Sequence, residues 1–136
     1  MPGRLKVVDA SALGALLFGE PKAGDVARRL GGATLTAPTL LRYEMASICR
    51  KKLGRYPEQR TGLLEMLDHF ERMDLQELPV PTDDVVVLAE SEKLTVYDAA
   101  YLWLARTLEA ELVTLDSALR RASSRRRGGR SKQQAE

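Results

Sequence analysis

Four short β-rich runs set apart by helical stretches constrain this chain more than any other feature. RLKVV at 4 to 8, TLTA at 34 to 37, LQELPV at 75 to 80 and ELVTL at 111 to 115 are each followed or preceded by a segment with helical signals. Strands separated by helices of this length cannot pair as hairpins. They are predicted to join through crossovers into a mainly parallel sheet of four or five strands with helices on both faces, a three-layer α/β/α domain. In such sheets ligand sites collect beyond the carboxyl ends of the strands, where loops lead into helix N-termini.

The punctuation marks the helices. SALGALLF stops at Gly19, and Pro21 opens a second helix that Gly31 and Gly32 close. Thr39 is expected to cap a helix that stops at Gly54, and another helix is expected from about Pro57 to Met73. Thr82 or Asp83 is the expected cap of VVVLAESEKL, Thr95 begins VYDAAYLWLARTLEA, and Asp116 precedes SALRRA. No internal repeat is present.

Length and composition bound the rest. With 136 residues and 44% hydrophobic content, the chain supports one domain with a real core. A single cysteine, Cys49, rules out an internal disulfide and a Cys-rich zinc site, which suits a reducing cytoplasm. The longest apolar runs, ALGALLF at 12 to 18 and VVVLA at 85 to 89, fall far below membrane-spanning length, and Met1 to Val8 has no secretory pattern. A soluble cytoplasmic protein is expected. The net charge of +2 conceals a division: residues 117–136 hold six Arg and one Lys against one Glu, whereas residues 1–116 hold 14 basic and 18 acidic side chains. The domain is expected to span residues 1–122, and the basic stretch 123–136, almost without apolar content, to be a disordered tail.

One acidic residue breaks the helical pattern. At 100° per residue, Leu40, Glu44 and Ile48 fall at neighbouring angles with Leu41 and Met45 beside them, so Glu44 faces inward. A carboxylate moved into a protein interior costs several kcal/mol unless something cationic or hydrogen-bonding receives it. Asp9 and Asp116 each follow a strand, and Asp98 lies in the first turn after Thr95. Taken singly, these three also read as caps or a capping box. Jointly with Glu44 they point to convergence at one sheet edge. Gathered carboxylates repel, and a cation relieves them. No fixed Lys or Arg adjoins each acid, and the chain offers no His pair or Cys cluster, so a hard divalent ion, Mg²⁺ or Mn²⁺, is the economical candidate. The calcium-loop pattern D-x-D-x-D-G is absent. A carboxylate-held Mg²⁺ completes its shell with water and phosphate oxygens, which points to phosphate-ester chemistry.

The stretches VVDASAL at 7 to 13, LLRYEMA at 40 to 46, LTVYDAAYLWLA at 94 to 105 and LVTLDSAL at 112 to 119 resemble, in order and spacing, the four acidic motifs of the PIN domain family. Within it, the likeness is to small VapC-type ribonuclease toxins of toxin-antitoxin pairs. The resemblance covers residues 4 to 122 and implies a PIN fold, Mg²⁺- or Mn²⁺-dependent endoribonuclease activity, a homodimer, and inhibition by a small antitoxin whose C-terminal segment lies in the active-site groove. It assigns Asp9, Glu44, Asp98 and Asp116 as catalytic, metal-binding acids, with Ser11 and Thr114 as supporting hydroxyls. It implies products with 5′-phosphate and 3′-hydroxyl ends. The Arg-rich tail is no part of the pattern.

Other conspicuous residues have ordinary explanations. His69, the only histidine, is expected at the surface or in packing, Cys49 as a small helix residue, and Trp103 in the core. Tyr43, Tyr97 and Tyr101 neighbour the acids and are read as core edge, with base stacking the other reading. Lys51, Lys52 and Arg55 favour the dipole at the end of the Glu44 helix, with contact to a phosphate backbone, together with Arg50, the other reading. The alternative function is a non-catalytic Mg²⁺-binding signalling or partner-binding module of receiver type, against which stand the inward Glu44 and the lack of an acidic pair before the first helix. An aspartyl-phosphate phosphatase wants a second Asp where Ser11 stands, and no G-x-G-x-x-G follows the first strand.

Overall fold

The computed structural model describes residues 4–125. In chain order the elements are β1 (Leu5–Val8), α1 (Ala10–Leu17), α2 (Ala23–Leu30), β2 (Thr34–Pro38) and α3 (Leu41–Arg55). A 3₁₀ turn (Pro57–Gln59) leads into α4 (Arg60–Glu71), followed by β3 (Leu75–Leu78), α5 (Thr82–Glu92), α6 (Val96–Leu108) and β4 (Glu111–Val113). A last helix, α7, occupies residues 117–125. Three of these, residues 123–125, lie in the stretch read above as tail; the remainder of that stretch is outside the described residues.

The four strands form one wholly parallel sheet in the order β3-β2-β1-β4. From β1 the chain steps outward to β2 and then β3, and only afterwards crosses back to place β4 on the other side of β1. Crossovers running the same way from β1 to β2 and from β2 to β3 put α1 to α4 on one face, where α1 packs on α2 and α3 and α3 on α4. The crossing back to β4 puts α5 and α6 on the other, where α6 packs against β1, β2 and β4. The reversal of direction falls between β1 and β4. There the first loops out of the two strands turn to opposite faces and leave a crevice at the carboxyl edge of the sheet.

The core lies between the layers, with Val7, Leu13, Leu41, Met45, Leu102 and Leu119 among its fully buried side chains. Each such aliphatic group removed from water stabilises the fold by roughly 1.5–3 kcal/mol. Hydrogen bonds continue the β1–β4 ladder past its last residue, since the Asp9 N–H donates to Val113 O at 3.2 Å.

Helix ends differ from expectation at two places. Thr39 does not cap α3: the boundary residue is Leu40 in a helical conformation, with no side-chain bond, because the chain enters through a turn in which Arg42 N–H meets Thr39 O. Nor does Thr82 or Asp83 cap α5. Extended Pro81 precedes the helix, so both lie in its first turn, where the Asp83 charge complements the helix dipole. Thr95 is the cap of α6, its hydroxyl accepting from Asp98 N–H at 3.1 Å.

α1 and α3 approach closely at Gly14, where an added Cβ would meet Ile48 Cδ1 at 3.0 Å. This contact sets the spacing between the helices that carry Asp9 and Glu44 at their starts. Gly14→Ala should leave stability near neutral, because the flexible Ile48 terminus yields and helix propensity is gained. Gly14→Leu should lower it by about 1–3 kcal/mol through overpacking, measured by urea denaturation.

Candidate active site

Asp9 is the first residue beyond β1 and the N-cap of α1, which forces its carboxylate to the carboxyl edge of the sheet, where only 4% of the residue is exposed. Its two oxygens are held from both sides of the crevice. Oδ1 accepts from Ser11 Oγ at 2.7 Å and from the Ala12 N–H at 3.0 Å. Oδ2 accepts from Thr114 Oγ1 at 2.5 Å. The donor hydroxyls are themselves pinned: Leu115 N–H donates to Ser11 Oγ and Asp116 N–H to Thr114 Oγ1, both at 3.0 Å. The D-x-S and T-x-D motifs thus form one network across the switch point.

Asp116 sits at the start of α7, where its Oδ2 accepts from Leu119 N–H at 2.8 Å. Glu44 lies in the first turn of α3, half-buried, and Asp98 in the first turn of α6, also half-buried. α6 must descend to feed β4 at its N-terminal end, so its first turn stands at the same edge as Asp9.

The four acids share one electrostatic field. Burial raises the Asp9 carboxyl above its ordinary range; the Thr114, Ala12 and Ser11 hydrogen bonds oppose this, and the Asp116 charge adds to it. Burial also raises Glu44, opposed by a hydrogen bond from Tyr101 and reinforced by Asp9 and Asp98. Asp98 is raised by burial and then by Asp116 and Asp9. What moves these carboxyls is desolvation, hydrogen bonding and one another's charge.

Among the described residues, no three His, Cys, Asp or Glu side chains stand ready to hold an ion as they are placed. The reason is visible in their partners: Asp9 is turned to Ser11 and Thr114, Glu44 to Tyr101, and Asp116 to Leu119 N–H. The donor set nonetheless suits a hard divalent cation, being all oxygen and mutually repelling.

Tyr101 is the residue whose part in the site the sequence left unread. Its side chain is buried, 1% exposed, and its hydroxyl donates to Glu44 Oε1 at 2.5 Å. That burial overturns base stacking for Tyr101. Burial, the Glu44 bond and the surrounding negative charge together push its phenol far above the usual range, so it remains a donor. A polar atom three residues after Asp98 in an apolar stripe was the available signal. Tyr43 and Tyr97 are 75% and 63% exposed and are not core edge. His69 is exposed on α4, Cys49 is buried with its thiol toward Leu63 O, and Trp103 packs partly buried against the core.

Comparison with known proteins gives a consistent set of likenesses. The PIN domain family matches residues 6–124. Ribonuclease VapC3 of Pyrobaculum aerophilum is 34% identical over 118 residues, covering 83% of this chain and 90% of that protein. The crystal structure of PAE2754 from Pyrobaculum aerophilum superposes with a TM-score of 0.68 at 28% identity, covering 85% of this chain and 82% of that one.

The raised Asp98 carboxyl has a sign that can be measured. A carboxyl whose folded value lies above its unfolded one favours folding below the unfolded value and loses that contribution as pH rises through the folded one. In the absence of divalent ions, Asp98→Asn should therefore be more stable than wild type at pH 7, with the gain shrinking as pH falls toward about 4. Urea midpoints across that range in EDTA read the effect; coincident midpoints at pH 7 would contradict it.

Proposed function

Because the chain belongs to the PIN domain family, we propose that it is a metal-dependent endoribonuclease hydrolysing RNA phosphodiester bonds, the toxin of a toxin-antitoxin pair. The observation that carries this reading is the convergence of four carboxylates, from the ends of β1 and β4 and the first turns of α3 and α6, on one crevice. Its nuclease domain is taken as residues 1–122, followed by the basic stretch 123–136. The reading places it in the cytoplasm, as a homodimer bound by a small antitoxin. Among the described residues no helix is long and apolar enough to cross a membrane.

Asp9, Glu44, Asp98 and Asp116 are the side chains that would hold Mg²⁺ or Mn²⁺. When bound, a divalent ion supplies Lewis acidity that lowers the pKa of a water and offsets charge on the phosphate. The chain's own residues do the rest. Ser11 and Thr114 fix the direction of the Asp9 carboxylate by holding one oxygen each, and the backbone of Leu115 and Asp116 holds those hydroxyls. Tyr101 orients Glu44 by engaging Oε1, and among the described residues Oε2 has no hydrogen-bond donor. Asp98, with no side-chain hydrogen bond among the described residues, can turn toward the crevice. In the reaction, water oxygen bonds to phosphorus in line with the departing 3′ oxygen, and the products carry 5′-phosphate and 3′-hydroxyl ends. No histidine base is needed, which agrees with the exposed place of His69 on α4.

Asp9→Asn should fold and lose RNA cleavage by more than about a hundredfold, beyond the 10–100-fold typical of groups that only support a ligand. Mapping of RNA ends with Mg²⁺ and with EDTA reads this; full activity in the variant would remove Asp9 from the site. Tyr101→Phe keeps the packed ring and frees Glu44. Its thermal stabilisation by Mg²⁺ should lie between those of wild type and Glu44→Gln, with the largest shift in wild type.

A further inference from the structure

Two arginines far apart in sequence meet on one carbonyl at the open edge of the sheet. Arg29 Nη1, from the last turn of α2, and Arg120 Nη2, from α7, each donate to Thr114 O at 3.0 Å. Like charges drawn to one acceptor repel, and the carbonyl is neutral, so neither guanidinium charge is met at that contact. Among the described residues neither Arg29 nor Arg120 pairs with a carboxylate; Arg4, Arg50, Arg55, Arg60 and Arg121 share that, and what sets Arg29 and Arg120 apart is their convergence on one acceptor.

The space beside them is a groove of about 460 Å³ on the side of β4 that, among the described residues, has no neighbouring strand; it is lined also by Leu112, Glu111, Ser123 and Ser124. Glu111 is the one acid there among the described residues, and its Oε1 lies 3.5 Å from Lys6 Nζ, at the opposite end of β4 from Thr114. The remaining polar groups are guanidinium N–H donors and serine hydroxyls, a set that matches the oxygens of a phosphodiester.

The groove adjoins the acids through a single residue. The Thr114 carbonyl faces the arginines while the Thr114 hydroxyl donates to Asp9. We propose that the groove formed by Arg29, Arg120, Ser123 and Ser124 is a subsite for a backbone phosphate of the RNA strand, flanking the phosphodiester presented to the acids. The proposal rests on the endoribonuclease reading. It assigns the chain a cationic hold on its anionic substrate next to a site that is itself repulsive to phosphate. Arg29 and Arg120 supply affinity that is independent of base identity.

Binding of a fluorescein-labelled single-stranded oligoribonucleotide, followed by anisotropy in EDTA across a series of salt concentrations, tests it without cleavage. Gln at both positions keeps N–H donors for the Thr114 carbonyl and removes the charges. Arg29→Gln with Arg120→Gln should weaken binding about tenfold or more. It should also lower the slope of log affinity against log salt by about 0.7, the value for one phosphate neutralised on a single strand. If the double variant does not fold, Arg120→Ala, on the exposed side of α7, gives the same direction of change. A variant with wild-type affinity and slope overturns the subsite, as does a wild-type protein that does not bind the oligoribonucleotide. Cleavage by wild type in Mg²⁺ is read separately: its absence counts against the nuclease reading, whereas cleavage with unchanged slopes counts against the subsite alone.

Discussion

The bond from the Thr114 hydroxyl to Asp9 ties together everything else in the site. It spans the one place in the sheet where successive connections part to opposite faces, and it joins residues 105 apart in the chain. A carboxylate with 4% exposure costs several kcal/mol if left alone. Here two hydroxyls and one backbone N–H receive it, and two further backbone N–H groups hold those hydroxyls. Asp9 is thereby fixed in direction as well as in place, and the turn that presents Asp116 is fixed with it.

Around that bond the fold assembles opposing demands. A parallel sheet delivers the ends of its strands to one edge, so acids at strand ends and in first helical turns are crowded together. Burial and mutual charge then raise three of the four carboxyls. Stability and function pull apart at this edge: the features that make the crevice attractive to a dication are those that make it costly without one. The apolar core between the layers, from Val7 to Leu119, carries that cost.

The opposite sign of charge lies just across the strand. Arg29 and Arg120 meet on the carbonyl of the residue whose hydroxyl serves Asp9, so negative and positive regions are separated by the thickness of one backbone. A polyanion that must bring one phosphate to an acidic crevice gains from cationic contact beside it, and charge alternation over this distance supplies that contact.

The sequence by itself determined the layer architecture, because strands spaced by helices have few ways to pair, and it marked the four acids, because carboxylates at strand ends and on an inward helical face are conspicuous against the period around them. It also pointed to Ser11 and Thr114 through their motifs. Local signals were less reliable at Thr39 and at Thr82, where the approach of the chain from Pro38 and Pro81 decided the boundary. Tyr101, Arg29 and the outward turn of Tyr43 and Tyr97 were decided only by the tertiary structure. Periodicity tells which way a side chain leaves its own helix, but not which atom of a distant element it meets. The Tyr101 hydroxyl met Glu44, 57 residues away, and the Arg29 guanidinium met Thr114, 85 residues away, once strand order and helix packing had fixed where each element lay.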